Sequence, residues 1–408
     1  MASFDMRCIE CGREHDTAKP AYACASCGNL LELHLDRAGA ERRLSKSDFR
    51  KRPLSVWRYR ELIPVGEKVT VYSLNEGGTP LIRCDRIAKA IGLKQLWVKF
   101  DGTNPTGSFK DRGMTVGITK AKELGMKAVI CASTGNTSAS LAAYAGLAGL
   151  KCVVLIPEGK VALGKLAQAM MHGATVVSVK GNFDQALEMV MESSERLGMY
   201  VLNSVNPFRI EGQKTAAFEI CDQLNGHPDF LYIPVGNGGN SAAYWKGFEE
   251  YESLGLVSGH PSIVGIQAEG SAPVARMFEK KESHLIPVKK PDTIATAIRI
   301  GNPANWKKTV RAIKESGGTV FTVSDREILN AQRQLASQEG IFAEPAGAAA
   351  LAGLTKDVEL GRIDRSSKVV CVSTGHGLKD PDIAITQSSK PRTIEPTMDA
   401  LEKILEGS

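Results

Sequence analysis

The stretch NPTGSFKDRG, residues 104–113, lies between a predicted strand, LWVKF at 96–100, and a predicted helix. Ser108 is the predicted N-cap of that helix, which places Lys110 in its first turn. The positive end of a helix and partial desolvation both lower the pKa of an amine. A neutral lysine amine is a nucleophile that can form a Schiff base. Taken alone, the stretch favours a solvated surface lysine, so the rest of the chain has to decide.

From residue 96 onward, short β-branched runs alternate with helical patterns, as in AVICAS, TSASLAAYAGLAG and KCVVLIP. This alternation predicts parallel strands with helices on both faces of each sheet. There are too many strands for one comfortable sheet, so we expect two α/β domains. The smaller domain is predicted at 96–209, and the larger one at 36–95 together with 210–408. Residues 1–35 stand apart as a small N-terminal unit.

Ligands of open parallel sheets bind beyond the carboxyl ends of the strands, and two polar loops follow strands there. AVICAS runs into TGNTSAS, whose hydroxyls, amide and helix N-terminus suit a carboxylate or another anion; simple N-capping would need only one of these residues. FLYIPV runs into GNGGN at 236–240, where backbone N–H groups could surround a phosphate, although a plain glycine turn remains an alternative. The candidate residues are Ser133, Thr134, Asn136, Thr137 and Ser138 in the first loop, and Gly236, Asn237, Gly238, Gly239 and Asn240 in the second.

A further strand, KVVCVST, ends at Thr374, so the Thr374 hydroxyl is expected to face the same crevice. His376 follows it and is a candidate acid or base, although a lone histidine is more often structural. A lysine, a phosphate loop and a strand-terminal hydroxyl together indicate a phosphorylated carbonyl cofactor held as a Schiff base. Pyridoxal 5'-phosphate fits this description.

Five motifs carry a family resemblance: NPTGSFKDRG, STGNTSAS, NSVNPFRIEGQKT, PVGNGGN and STGHGLKD. In this order and spacing they resemble the threonine synthase family, which belongs to the tryptophan-synthase-β-like, fold type II pyridoxal-phosphate enzymes. The resemblance extends from EGGTPL to GHGLKD, which is most of the chain. It implies an α/β fold with two open, mainly parallel sheets flanked by helices, and it reverses the preference for a surface lysine at Lys110.

The resemblance also implies roles for individual residues. Lys110 forms the Schiff base and shuttles protons, Asn136 bonds the ring hydroxyl of the cofactor, and Thr374 meets its pyridine nitrogen. The GNGGN loop cradles the cofactor phosphate. The substrate's carboxylate is assigned to the loop containing Ser133, Thr134 and Thr137, and its phosphate to Ser204, Arg209 and Asn237.

The implied reaction converts O-phospho-L-homoserine and water to L-threonine and phosphate by β,γ-elimination and replacement. A neutral hydroxyl at the pyridine nitrogen is not expected to stabilise a protonated ring, which would favour elimination and replacement over transamination.

Three alternatives stay open. A threonine or serine dehydratase would share TGSFK but would not need Ser204 and Arg209. A cysteate synthase, acting on O-phosphoserine and sulfite, could share every phosphate contact. The α/β body could also be an inactive scaffold that carries a zinc-ribbon binding module.

The N-terminal unit contains two C-x₂-C pairs, Cys8 with Cys11 and Cys24 with Cys27. The spacing and the following apolar strand resemble a zinc ribbon, in which four thiolates bind one structural zinc. Free thiols or adventitious disulfides are the alternative. The remaining five cysteines lie in apolar or mixed stretches and are expected to be buried free thiols.

The composition of the 408 residues is that of a globular protein, with 43% hydrophobic residues, 24% charged residues and a net charge of +6 spread along the chain. The mild positive charge gives little support to nucleic-acid binding. We find no secretory signal and no apolar run long enough for a membrane span, so a cytoplasmic protein is expected. The resemblance suggests a homodimer. The C-terminal stretch IEPTMDALEKILEG is predicted to form a docking helix.

Overall fold

Three β-sheets and the helices around them form the structure. It is a computed structural model that describes residues 4–159, 163–181, 183–388 and 391–406. The strands are β1 Phe4–Cys8, β2 Glu14–His15, β3 Leu31–Leu35, β4 Leu81–Arg83, β5 Gln95–Phe100, β6 Ala128–Ala132, β7 Lys151–Pro157, β8 Thr175–Val179, β9 Tyr200–Val201, β10 Phe230–Pro234, β11 Ser262–Ala268, β12 Thr319–Val323 and β13 Lys368–Ser373. The helices are α1 Arg37–Leu44, α2 Asp85–Ile91, α3 Lys110–Glu123, α4 Asn136–Leu147, α5 Leu163–Met171, α6 Phe183–Leu197, α7 Pro207–Gln213, α8 Thr215–Leu224, α9 Gly239–Ser253, α10 Pro273–Glu279, α11 Trp306–Glu315, α12 Asp325–Glu339, α13 Pro345–Glu359, α14 Pro381–Gln387 and α15 Met398–Glu406.

The N-terminal unit is a small antiparallel sheet with the strand order β2-β1-β3. Met6 and Leu33 face each other across β1 and β3, and both are buried because side chains alternate between the two faces of a strand. They pack in one cluster with Val116 on α3 and Phe208 on α7. The unit is therefore docked on the α/β body through an apolar face.

The larger sheet has six strands in the order β12-β11-β10-β13-β5-β4, and only the edge strand β4 runs antiparallel to its neighbour. The smaller sheet has four parallel strands in the order β8-β7-β6-β9. The predicted fold class, α/β with two open and mainly parallel sheets, is confirmed. Separate apolar clusters lie on the two faces of the larger sheet, and a third surrounds the smaller one.

One strand lies in a different sheet from the one the sequence assigned. LWVKF was placed at the start of the smaller domain, 96–209, but β5 pairs with β13 and β4 in the six-stranded sheet. The run is short and apolar, and nothing local to it identifies its pairing partner. We therefore propose that the smaller domain begins after β5, and we keep the rest of the division into 1–35, 36–95 with 210–408, and 96–209 as a proposal.

Three helical stretches refine the sequence prediction. The predicted helix IEGQKTAAFEICDQL lies across α7 and α8, which meet at Lys214. Helix α13 was not predicted, because its Ala-rich sequence is buried almost all round and lacks a polar stripe. Helix α15 forms as predicted but buries no residue against the described part of the chain.

No helix in the described ranges combines the length and apolar character needed to cross a membrane.

A buried ion-pair network lies under the loop that carries Lys110. The Arg112 guanidinium is 2.9 Å from the Asp101 carboxylate and 2.6 Å from that of Glu219, and the Lys99 ammonium is 2.7 Å from Glu219. All four side chains are at most 1% exposed. The network joins the start of α3 to β5 and α8, so Arg112 of the KDRG motif has a structural role.

Arg112→Ala is expected to lower the free energy of unfolding by about 3–5 kcal/mol, because it leaves the buried Asp101 carboxylate without its cation and leaves Glu219 with Lys99 alone. Urea denaturation of the wild type and the variant measures the change. The matched control is Arg196→Ala, which breaks an exposed pair with Glu192 and should change stability by at most about 1 kcal/mol. Equal effects of the two substitutions would contradict the structural role of Arg112.

Candidate active site

A cavity of about 830 Å³ lies between the two large sheets, at the carboxyl ends of their strands. The loops after β5, β6, β10 and β13 all open into it, as the rule for parallel sheets predicts. It is lined by every residue to which the resemblance assigns a cofactor or substrate contact: Lys110, Ser133, Thr134, Asn136, Thr137, Ser204, Arg209, Gly236, Asn237, Gly238, Gly239, Asn240 and Thr374. Ser138, the remaining candidate of the first loop, does not line it, and its hydroxyl donates to the Gly135 carbonyl over 2.8 Å.

Lys110 is the first residue of α3, in agreement with its predicted place in the first helical turn. The predicted cap at Ser108 is wrong, because Phe109 occupies the N-cap and the Ser108 Oγ is buried without a hydrogen-bond partner. The loop is instead held by backbone bonds to the segment after β13. The Phe109 N–H donates to the Thr374 carbonyl over 3.0 Å, and the His376 N–H donates to the Gly107 carbonyl over 2.9 Å. These bonds fix Lys110 next to Thr374.

The amine of Lys110 lies 4.1 Å from the centre of the Phe109 ring, and the half-buried residue lines the cavity. Burial, followed by the nearby charge of Arg209, lowers the pKa of Lys110 to about 7, against an opposing effect of Glu344. A large fraction of the amine is then neutral at physiological pH, which a nucleophile requires. The geometry thus supports the sequence-based role of Lys110.

The rate at which pyridoxal phosphate forms a Schiff base with the cofactor-free protein should be half-maximal near pH 7. Only the neutral amine attacks a carbonyl. Because the pKa of Lys110 is lowered to about 7, the neutral form already dominates above about pH 7, whereas an ordinary lysine is mainly neutral only above about pH 10. Stopped-flow absorbance across a pH series measures the rate. Nα-acetyl-lysine under the same conditions is the control and should show its half-maximum near pH 10.

The GNGGN loop is tightly enclosed by α11. Gly238 has φ +80°, and a Cβ atom there would lie 2.1 Å from the Thr309 hydroxyl, so only glycine fits. Helix α9 begins at Gly239, directly after this loop, and the first N–H groups of a helix lack intrahelical partners and attract anions. The side chain of Asn240 contributes a buried Nδ2 that has no hydrogen-bond partner in the described part of the chain. The loop has the features of a phosphate cradle.

Asn136 and its neighbours form the start of α4, where the strand β6 ends. The Ser133 hydroxyl accepts a hydrogen bond from the Gly135 N–H over 3.2 Å, which shapes the turn. Thr134 and Thr137 line the cavity on either side of that turn. Their hydroxyls and the N-terminus of α4 together suit a carboxylate.

Arg209, on α7, is 2% exposed and lines the cavity. One of its terminal N–H groups donates to the Leu202 carbonyl over 3.3 Å, and its Nε has no partner. In the described part of the chain no carboxylate forms an ion pair with it, and burial lowers its pKa to about 10. A buried cation without a counter-ion is costly, so the site favours an anionic ligand here.

Asn305 forms hydrogen bonds with Ser204 and Asn237, the other two residues predicted to bind the substrate's phosphate. Its Nδ2 donates to the Ser204 carbonyl over 3.0 Å, and its backbone N–H donates to the Asn237 carbonyl over 2.9 Å. Ser204 and Asn237 are distant in sequence, yet both line the cavity with Arg209. The structure therefore brings together all three residues assigned to the substrate's phosphate.

The sequence analysis missed Glu344, which is 1% exposed and lines the cavity. Its carboxyl group accepts hydrogen bonds from Thr374 Oγ1 over 2.8 Å and from Asn136 Nδ2 over 3.0 Å. The residue is the N-cap of α13 and does not follow a predicted strand, so a search restricted to strand ends could not find it. The only sequence feature that could have pointed to Glu344 is its position directly before Pro-Ala-Gly, the buried start of α13.

The cavity residues fit pyridoxal phosphate, whose binding needs an amine, a phosphate cradle and polar contacts to the ring. Lys110 supplies the amine, the GNGGN loop supplies the cradle, and within that loop the buried Asn240 Nδ2 has no partner among the described residues. Buried polar groups usually have a hydrogen-bond partner, so this amide at the cavity wall is available to a ligand.

Comparison with known proteins agrees with this chemistry. The family model described as pyridoxal-phosphate dependent enzyme matches residues 72–375, so the chain belongs to this class of enzymes. Threonine synthase from Methanocaldococcus jannaschii is 56% identical over 98% of this chain and 98% of its own length. Threonine synthase from Methanosarcina acetivorans is 51% identical over 99% of both chains. Within the class, the chain belongs to the threonine synthase family.

Solved structures show the same fold at low sequence identity. Maize serine racemase superposes with a TM-score of 0.65 at 21% identity, covering 76% of this chain and 91% of that one. Diaminopropionate ammonia lyase from Escherichia coli superposes with a TM-score of 0.64 at 16% identity, covering 94% of this chain and 96% of that one. These likenesses establish the architecture alone.

Proposed function

We propose that the chain is a threonine synthase that converts O-phospho-L-homoserine and water to L-threonine and phosphate with pyridoxal phosphate as cofactor. The observation that carries the proposal is the identity of 51–56% to threonine synthases over nearly the whole chain. The buried, unpaired Arg209 adds a physical reason for a phosphorylated substrate, since the cofactor phosphate has its own cradle in the GNGGN loop.

Two groups of cavity residues bind the substrate, and Lys110 transfers protons. The loop with Ser133, Thr134 and Thr137 binds the substrate carboxylate, and Ser204, Arg209 and Asn237 bind its phosphate. The bound cofactor supplies an electron-withdrawing ring that stabilises negative charge at the substrate's α-carbon. The Lys110 amine takes the Cα proton, for which an amine with a pKa near 7 is suited. Arg209 holds the phosphate as it leaves from Cγ, a step that also removes a proton from Cβ. Water then adds its hydroxyl at Cβ, and Cγ takes up a proton.

A product assay tests the function against its nearest alternative. The purified holoenzyme is expected to form threonine and phosphate from O-phospho-L-homoserine, and to form no cysteate from O-phosphoserine and sulfite. A dehydratase would instead release a 2-oxo acid from threonine or serine. Cysteate formation as the faster reaction, or no turnover of phosphohomoserine, would refute the proposal.

We also propose a structural zinc ion at the N-terminal cysteines. The Sγ atoms of Cys8, Cys11, Cys24 and Cys27 lie within 4.8 Å of one another. Individual separations are 3.4 Å for Cys8 to Cys27 and 3.6 Å for Cys11 to Cys24. Tetrahedral zinc with Zn–S bonds of about 2.3 Å separates its sulfur ligands by about 3.8 Å, so the four thiols have room for such an ion. Four thiolates leave no open position, which excludes catalysis by this metal.

Helix α11 connects this ribbon to the active site. In the first turn of α11, Lys307 donates to the Asn29 side chain over 2.9 Å, and Lys308 donates to the Leu31 carbonyl over 2.8 Å. Near the helix start, Asn305 holds Asn237, and Thr309 donates to the Gly238 carbonyl over 3.0 Å. The ribbon therefore supports the helix against which the GNGGN loop is packed.

Metal removal by a chelator is expected to lower the melting temperature by about 5–10 °C, because metal binding contributes directly to the stability of such small units. It should also weaken cofactor retention through α11, as measured by the visible absorbance of the dialysed protein. Cys27→Ser should reproduce both effects, and the chelator should add nothing further to this variant. Metal analysis showing no bound zinc in the wild type would contradict the proposal.

A homodimer and a cytoplasmic location remain predictions, supported by the family resemblance and by the biosynthetic reaction. Light scattering of the purified holoenzyme tests the first of these, with a dimer mass expected.

A further inference from the structure

Gln213 lies in the motif NSVNPFRIEGQKT, and the family resemblance assigns it no role. It is the last residue of α7, is 4% exposed and lines the cavity. Its Oε1 is buried without a hydrogen-bond partner, and none of the hydrogen bonds among the described residues involves its side-chain amide. Buried amides are usually paired within the protein, so this one is available to a ligand.

The Gln213 side chain lies beside Arg209. The two residues are four positions apart on α7, and helical side chains lean towards the N-terminus, over the preceding turn. Both residues also pack on Gly113 of α3, where a Cβ atom would lie 2.9 Å from Gln213 Nε2 and 3.2 Å from Arg209 Cβ. The amide and the buried cation therefore face the cavity from adjacent turns of one helix.

Gly113 leaves the space that the amide fills. Glycine inside a helix is unfavourable compared with alanine, but a Cβ atom at this position would also lie 2.8 Å from the Arg209 carbonyl oxygen. Helix α7 can therefore lie closely against α3. Lys110 and Gly113 are three positions apart, on one face of α3, so the Gln213 amide is next to the turn that begins with Lys110.

The surroundings of this amide favour an anionic ligand. Arg209 is a buried cation that pairs with no carboxylate of the residues that the structure describes. The Gln213 Nε2 group adds two directed N–H donors, and hydrogen bonds to a charged acceptor are stronger than those between neutral groups. A second cation here would lower the pKa of Lys110 still further, whereas an uncharged amide adds donors without that effect.

We propose that Gln213 is a further contact of the substrate's phosphate, to which its Nε2 group donates alongside Arg209. The inference rests on the proposed function, which assigns this phosphate to Ser204, Arg209 and Asn237. The other phosphate in the cavity, that of the cofactor, is assigned to the GNGGN loop. Measuring phosphate affinity and cofactor retention on the same variants separates the two.

Two substitutions remove the donors of Gln213 in different ways. Gln213→Met keeps the length of the side chain without its amide, and Gln213→Glu keeps its shape but places a carboxylate there. Calorimetric titration of each holoenzyme with inorganic phosphate measures the affinity of the site. We expect the phosphate Kd to rise about 10- to 100-fold in Q213M, as for the loss of a hydrogen bond to a charged group. The rise should be larger in Q213E, because like charges repel.

The kinetic constants should change in a corresponding way. KM for O-phospho-L-homoserine should rise in both variants with a smaller change in kcat, because the contact is made to the bound substrate as well as in the transition state. Cofactor retention after dialysis, measured by visible absorbance, should stay unchanged, as should the melting temperature of Q213M. A role confined to packing α7 on α3 would lower the melting temperature and leave the phosphate Kd unaltered.

Gln334→Glu is the matched control, since it changes a half-buried glutamine on α12 that lies outside the cavity. It should equal the wild type in phosphate affinity, KM and cofactor retention. Q213M decides the outcome if Q213E folds poorly.

Equal phosphate affinity in the wild type and the Gln213 variants would overturn the inference. Loss of cofactor with unchanged phosphate affinity would also overturn it and would assign Gln213 to the cofactor phosphate. Both results leave the proposed function intact. That function fails by a different sign, namely a wild-type holoenzyme that does not turn over O-phospho-L-homoserine, whatever its affinity for phosphate.

Discussion

Replacing Lys110 by alanine is expected to lower kcat by about 10³-fold or more, because the variant loses both the nucleophile that binds the cofactor covalently and the base at Cα. Borohydride reduction followed by peptide mapping should place the label of the wild type on Lys110 and find none in the variant. The overall fold should persist, since the Lys110 side chain takes no part in the ion-pair network of Arg112.

Lys127→Ala is the control for this experiment. Lys127 is an exposed lysine that follows α3 and lies outside the cavity, and its removal should change neither the label nor the rate. A reduced label on any other lysine of the wild type would contradict the assignment and, with it, the chemistry proposed for the whole site.

Arg209→Ala is expected to reduce kcat/KM for O-phospho-L-homoserine by about 10²- to 10³-fold, the loss typical of removing one partner from a buried charge pair. The physical reason is that Arg209 is buried and pairs with no carboxylate of the residues that the structure describes, so its position favours an anionic ligand. Inhibition by inorganic phosphate should weaken in parallel, because phosphate competes for the same contact.

The variant should still bind pyridoxal phosphate, since the GNGGN loop and not Arg209 is assigned to the cofactor. Removing a cation near Lys110 should also raise the pH midpoint of Schiff-base formation, because the charge of Arg209 lowers the pKa of that amine. Arg196→Ala, at an exposed position on α6, is the control. Loss of cofactor binding with unchanged phosphate inhibition would assign Arg209 to the cofactor instead.

Much of the site could be predicted from the sequence because its parts are local. Lys110, the GNGGN loop and Thr374 each follow a short apolar run, and the carboxyl ends of parallel strands meet at one edge of a sheet. Once the runs are identified as strands, the loops must converge, and the structure does place them around one cavity. The cluster of four cysteines could likewise be predicted, because the C-x₂-C spacing within each pair is a local feature of the sequence.

Other features depended on contacts between residues far apart in the chain. The pairing of β5 with β13 joins residues more than 250 positions apart, and no periodicity within LWVKF specifies that partner. The burial of Arg209 without a counter-ion and the support of the GNGGN loop by α11 have the same origin.

The sequence by itself determined the class of fold and the cofactor chemistry and predicted the nucleophile, because hydrophobic periodicity and short loop motifs are properties of neighbouring residues. Only the tertiary structure placed Glu344 behind Thr374, since that contact comes from two loops 30 residues apart that meet across a sheet edge.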